Sequence, residues 1–215
     1  MQGFCINLKE RKDRYNHFEN LKKKYSFFCE IERFEAIKLN NGWLGCSMSH
    51  YKALMLLLHK FKYKEKYVMM CEDDLYISNE TNLNNFIINF NLIKDFNDWD
   101  IITLTPRGNT MFNYDKFKTY NFKRIIENQT TTAYIIKIDI IDKLLNYLKI
   151  GIINMVKYGV SAVPKNTCDQ IWKPMQEKYV FLYFKDIFAG QLQDYSDIEK
   201  GITNYNVKFA EQIYN

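Results

Sequence analysis

Apolar residues in this chain gather into short unbroken runs separated by longer stretches with helical spacing. Phe4 to Leu8 is a short apolar strand ending at Asn7 and Leu8, and Tyr67 to Cys71 is a continuous apolar run, the form expected of a strand buried on both faces. Ile31 to Ile37, Asp100 to Leu104, Phe122 to Ile126, Thr132 to Ile138 and Tyr179 to Phe184 predict further strands. Between them, Tyr15, Phe18, Leu21 and Tyr25 line one face of a helix from about Arg11 to Tyr25. Cys46 to Phe61 predicts a strongly apolar helix with Ser47 as its N-cap. Leu83, Phe86, Ile87, Phe90 and Ile93 form the stripe of a third helix, capped by Asn82. Ile140, Leu144, Leu145 and Leu148 mark a fourth, capped by Asp139, and Thr167 to Glu177 a shorter fifth. Strands alternate with helices and no repeat or linker interrupts them, which predicts an α/β fold: a single domain over residues 1–215, its mostly parallel central sheet flanked by helices.

Composition narrows the function classes. With 47% hydrophobic residues, sixteen Tyr and sixteen Phe against three Pro, the chain reads as a packed globular protein. The net charge of +5 is concentrated at Lys9 to Arg14 and Lys22 to Lys24. It reads either as a solvated helix face, with Glu19 and Lys23 paired, or as a basic rim that attracts a diphosphate. No nucleic-acid-binding signature accompanies it, so no nucleic-acid partner is expected. Five widely spaced cysteines without a CxxC pair suit reduced thiols, and His17, His50 and His59 are not expected to join them as zinc ligands. Neither a signal peptide nor a transmembrane run is visible, which favours a cytoplasmic location with peripheral membrane association left open. The sequons at Asn79 and Asn128 are read as chance matches.

The candidate chemistry begins with Glu72-Asp73-Asp74, directly after the apolar run at Tyr67. These carboxylates emerge at the carboxyl end of a buried strand, where open α/β sheets bind ligands. Adjacent acids of this kind suit Mg²⁺ or Mn²⁺ shared with a phosphate-bearing substrate; the blander reading is a solvated acidic turn. Three other stretches accompany them in a fixed order. Ile6-Asn7-Leu8 with Arg11 and Asp13-Arg14 comes first, then Gly42 to His50 with Gly45-Cys46 and Ser49-His50 inside it, and Thr130 to Tyr134 follows the acids.

This order resembles glycosyltransferase family 25, the lipooligosaccharide and collagen galactosyltransferase family, and the likeness runs from about residue 4 to Asp197. The resemblance implies a GT-A-like (Rossmann-like) fold, a nucleotide-sugar donor such as UDP-galactose or UDP-glucose, a Mn²⁺ (or Mg²⁺) ion on the diphosphate, and transfer with inversion. It assigns the metal to Asp74, with Gln191 or Asp197 as further ligand in place of the late His common in GT-A enzymes, since none follows His59. Donor contacts fall to Asn7, Leu8, Arg11, Arg14, Gly45, Ser49, Glu72 and Asp73, and the general base to Asp169.

Each assignment has a plainer alternative: an ion pair for Asp73, a surface arginine for Arg14, a turn glycine for Gly45, a dipole-stabilised helix acid for Asp169. For His50 a structural, hydrogen-bonded role comes first. The acceptor is open among glycans, lipid-linked sugars and proteins, and a homodimer contact is one use for the many aromatics. The rival functions are a metal-dependent phosphohydrolase or nucleotidyltransferase using the same acids, and a degenerate glycosyltransferase-like binding module.

Overall fold

A computed structural model describes residues 1–111, 114–196, 198 and 200–203. In chain order its elements are β1 (Gly3–Asn7), α1 (Lys12–Lys24), β2 (Ile31–Glu35), α2 (Gly42–Phe61), β3 (Tyr67–Glu72), β4 (Leu75–Ile77) and α3 (Glu80–Ile93). Then come β5 (Ile101–Thr103), β6 (Asn109–Thr110), β7 (Phe122–Ile126), β8 (Ala133–Lys137) and α4 (Ile138–Tyr158). The last part holds α5 (Val163–Asn166), α6 (Cys168–Ile171), α7 (Met175–Lys178), β9 (Phe181–Phe184), β10 (Ala189–Gln191), β11 (Asp194–Ser196) and β12 (Gly201–Thr203).

Eight strands form the central sheet in the order β2-β1-β3-β8-β5-β9-β7-β6. β1 pairs in parallel with β2 and β3, and β5 with β9, whereas β8 and β7 run against their neighbours. Six of the eight strands therefore share one direction, which is the mostly parallel sheet expected from the unbroken apolar runs. Alternation along β3 shows how those runs are used. Val68 and Met70 enter the core on the α2–α4 face, and Met69 and Cys71 enter the opposite core beneath α1 and α3. No helix among the described residues is long and apolar enough to cross a membrane.

Several element boundaries differ from the sequence expectation, each for a local reason. α2 begins at Gly42 because Asn41 caps it, its side chain accepting from the Leu44 N–H at 3.1 Å; Ser47 is buried inside the helix and accepts from the Cys168 N–H instead. Asn79, not Asn82, caps α3, and the Asn82 N–H is the donor it satisfies. Lys137 precedes α4, so Asp139 sits in the first turn, where its charge still meets the helix dipole. Pro174 breaks the expected 167–177 helix into α6 and α7. Glu19 pairs with Lys22 rather than Lys23. Asn128 is fully buried and accepts from the Arg107 N–H, as befits a sequon matched by chance.

Phe86 anchors the α3 face. Fully buried, it stacks on Phe188 at 4.7 Å and meets Phe27, Phe122 and Phe184 edge-on within 6 Å. Phe86→Ala leaves a cavity that rigid ring neighbours cannot fill, and is expected to lower unfolding free energy by about 3–5 kcal/mol in a denaturant titration. A loss below about 1 kcal/mol would mean that the ring cluster repacks freely.

Candidate active site

Strand register brings the first and third motifs together. β1 and β3 are parallel neighbours with Ile6 opposite Glu72, so Asn7 and the acids leave the sheet side by side at the same edge. Asn7 donates to Asp73 at 2.6 Å and to the Arg11 carbonyl at 3.1 Å, which ties the strand end to the start of α1. One turn into α1, Arg14 approaches Asp73 at 3.2 Å and Asp74 at 3.7 Å. Gln191 is carried in by β10, which pairs with β4 so that Gln191 lies opposite Leu75; its side-chain amide donates to Asp74 at 3.4 Å.

These acids are countered only in part. Asp73 and Asp74 are each 7% exposed, and Asp74 Oδ1 is buried without a hydrogen-bond partner. Burial, with Glu72 and Asp73 alongside, pushes the Asp74 carboxyl up to about 8 against the pull of Arg14 and Gln191. Burial also raises Asp73, although Asn7 and Arg14 oppose it. An orphaned oxygen and three adjacent carboxylates with one arginine between them describe a site short of positive charge. Hard oxygen donors of this kind fit Mg²⁺ or Mn²⁺.

Glu72 faces a different neighbourhood. It accepts from the Thr131 hydroxyl at 3.0 Å and stands 3.3 Å from His50 Nε2. Burial works against its charge, yet His50 and Thr131 hold it below the ordinary carboxylate value; His50 rises in turn, its burial outweighed by Cys168 and Glu72. Thr131 is buried where the Thr130–Thr132 segment leads into β8. His50 is thus hydrogen-bonded through Nε2 to Glu72, while its Nδ1 is buried without a partner.

Two cavities meet at Glu72. The larger, about 610 Å³, is bordered by Leu8, Arg11, Arg14, Ser49 and all three acids. The smaller, about 290 Å³, is bordered by Thr130, Thr131, Arg107, Cys168 and Asp169. Trp43, Cys46, Glu72, Gln191, Ser196 and Ile198 border both, so the two are halves of one cleft. Asp169 opens onto the smaller half, holding Thr167 Oγ1 at 2.6 Å and Gln170 Nε2 at 3.2 Å; burial raises its carboxyl.

Leu8, Arg11, Arg14, Ser49, Glu72, Asp73, Asp74, Gln191 and Asp169 therefore border one cleft, whereas Asn7 borders neither half and stands buried behind Asp73 as its hydrogen-bond donor. Gly45 borders neither half. It is glycine because a Cβ there would lie 2.7 Å from the Ile37 carbonyl, so α2 packs directly on the segment that follows β2. Ser49 is largely spoken for, accepting from the Ile37 N–H and donating to the Gly45 carbonyl. Arg11 and Arg14 both reach Asp194 and the Tyr195 carbonyl, clamping β11 beside the larger cavity. Asp197 lies outside the described residues. Trp43 and Cys168 escaped the sequence reading as cleft residues; a tryptophan between two glycines and a cysteine beside Asp169 were the available signals.

Residues 38–157 match the profile of glycosyltransferase family 25 (LPS biosynthesis protein). Among solved structures, a glycosyltransferase involved in the glycosylation of the major capsid of PBCV-1 aligns with a TM-score of 0.54 at 11% identity, covering 92% of this chain and 94% of that one. That likeness shows the fold, which is GT-A-like. A197 from STIV aligns at 0.47 with 12% identity over 95% of each chain. Mannose-1-phosphate geranyltransferase from Thermus thermophilus aligns at 0.46 with 7% identity, over 86% of this chain and 59% of that one. No curated protein matches the chain.

A carboxyl whose folded pKa lies above its unfolded value withdraws stability as pH rises between the two, here from about 4 to about 8. In metal-free protein, Asp74→Asn is expected to exceed the wild type in thermal stability near pH ~8, by on the order of 1 kcal/mol, with the gap closing near pH ~4. Mn²⁺ should stabilise the wild type more at the higher pH, because the proton it displaces is then already leaving. An Asp74→Asn difference independent of pH would show that Asp74 is ionised throughout.

Proposed function

Since this chain belongs to glycosyltransferase family 25, we propose that it moves a hexose, galactose or glucose, from a UDP-sugar to a hydroxyl of a glycan or protein acceptor, with inversion and with a divalent cation, as one catalytic unit over residues 1–215. The observation that carries this reading is the buried, partnerless oxygen of Asp74 beside the larger cavity. In this reading the larger cavity takes the donor. Leu8 and Arg11 border the base and ribose, with Asn7 behind them holding Asp73, Arg14 faces the diphosphate, and Glu72 and Asp73 hold the ribose or ordered water. Asp74, with Gln191, would hold Mn²⁺ or Mg²⁺. When bound, such an ion supplies positive charge to the diphosphate as the glycosidic bond breaks.

The acceptor enters the smaller cavity, with Trp43 at the boundary offering an apolar ring face to a sugar. Its hydroxyl oxygen attacks the anomeric carbon, the bond from that carbon to the diphosphate oxygen breaks, and the hydroxyl proton passes to Asp169. Burial of Asp169 suits this task, because a raised carboxyl takes a proton near neutral pH more readily than an exposed one. Thr167 and Gln170 fix its two oxygens toward the cleft. The hydrogen bonds from Asn7 to Asp73 and from Thr131 to Glu72 orient the acids before substrate arrives.

UDP release from a panel of UDP-sugars tests the donor half without a known acceptor. Release that requires Mn²⁺, favours one sugar and disappears in Asp74→Ala is the expected result. If UDP with Mn²⁺ neither binds nor is released, the UDP-sugar reading fails, and cleavage of phosphate esters regardless of the sugar would favour the phosphohydrolase instead. For the base, Asp169→Asn should lower kcat for transfer by about 10²–10⁴-fold while leaving the thermal shift produced by UDP with Mn²⁺ intact. Unchanged transfer in that variant would remove Asp169 from the chemistry.

A further inference from the structure

Cys46, His50 and Cys168 are not expected together from their spacing along the chain, yet the fold collects them. Cys46 and His50 are four residues apart on α2 and so share a helix face, while Cys168 arrives at the start of α6 from 122 residues away. One ligand atom from each lies within 4.8 Å of the other two. The two sulfurs are 3.8 Å apart. Two thiolates bound tetrahedrally at ~2.3 Å from one zinc ion stand about 3.8 Å apart, so the pair already spans the required edge.

His50 supplies the second, independent observation. It is 1% exposed; Nε2 faces Glu72 at 3.3 Å, and Nδ1 is buried with no hydrogen-bond partner. A ring with one nitrogen toward a carboxylate and the other unoccupied is the arrangement of a metal-bound histidine backed by a second carboxylate. The donor set is soft, unlike the carboxylates of Asp73 and Asp74, and selects Zn²⁺ over Mn²⁺ or Mg²⁺.

We infer that Cys46, His50 and Cys168 form a zinc site, with Nδ1 of His50 as the nitrogen ligand and Glu72 holding Nε2–H. Binding releases the thiol protons of Cys46 and Cys168 to solvent and involves no change of oxidation state. Three protein ligands leave a fourth position, and both cysteines border the smaller cavity, so that position faces the cleft and takes water or a hydroxyl. The site is separate from the Asp74 site and does not rest on the proposed donor chemistry.

The test is a Co²⁺ titration of the full chain, stripped with chelator and kept reduced with a phosphine. A near-ultraviolet thiolate-to-cobalt charge-transfer band and visible bands of tetrahedral Co²⁺ are expected, saturating at one ion per chain and bleached by Zn²⁺. The bands should be lost in Cys46→Ser and Cys168→Ser and retained in Asp74→Ala and in Cys29→Ser, whose cysteine is exposed elsewhere. Should a serine variant fail to fold, X-ray absorption of the zinc-loaded wild type decides, with a shell of two sulfurs and one nitrogen expected. A folded wild type without a thiolate band overturns the site, as do bands that survive in both serine variants or a zinc shell without sulfur.

Discussion

The site is organised around negative charge that the fold has buried without fully neutralising. Three consecutive carboxylates leave the end of β3, and two of them, Asp73 and Asp74, are almost fully covered. Burial of that kind is costly unless cations or donors answer it. Arg14 from α1, the Asn7 amide from β1 and the Gln191 amide from β10 each supply part of the answer. Much of the local architecture can be derived from that requirement: β1 must lie beside β3, α1 must begin just beyond β1, and β10 must return across β4. Asp74 Oδ1 still lacks a partner after all of this, and that is the place the proposed cation would take.

The same acids divide the cleft chemically. Asp73 and Asp74 border the larger cavity only, among arginines and the ends of β1 and β3. Glu72 borders both and turns toward His50 and Thr131, which belong to the wall of α2 and to the approach to β8. A carboxylate shared in this way couples the two halves: any group that changes the charge on His50 alters what Glu72 presents to the larger cavity. The clamp of Arg11 and Arg14 on Asp194 and Tyr195 is a second coupling, since the arginines nearest the larger cavity are also those that hold β11 in place.

How much of this was legible in the sequence depended on whether the signal was local. Strand runs such as Tyr67 to Cys71 and stripes such as Leu83, Phe86, Phe90 and Ile93 carry their own periodicity, and the structure uses them with ends shifted by a few residues. Caps were misread where two capping side chains competed, as at Asn79 and Asn82, because propensity alone does not say which of them stands outside the first turn. The acids and Asn7 were visible as motifs, whereas the hydrogen bond joining them depends on strand order. Gly45 shows the opposite failure. As part of a motif it reads as a ligand contact, yet the Ile37 carbonyl beside it explains its missing side chain by packing.

The thiol–imidazole cluster is the instructive case, because half of it was local and the sequence reading still set His50 aside as a partner of the cysteines. Cys46 and His50 have helical ligand spacing, but a reading that looks for CxxC pairs passes over a C-x-x-x-H on one helix. The third member is unreadable in principle: nothing near Cys168 in sequence refers to α2, and only the return of the chain through α4 and α5 brings α6 against it. Once assembled, the cluster explains features that would otherwise be unrelated, namely a buried histidine with an idle nitrogen, two sulfurs held at 3.8 Å and a carboxylate turned away from its two neighbours. On the two proposals together, soft donors on the wall of the smaller cavity and hard donors in the larger one would keep two kinds of cation apart within one cleft, because neither donor set offers the other's ion a comparable shell. Glu72 is the residue on which both depend, as a bordering acid on one side and as the carboxylate that orients His50 on the other.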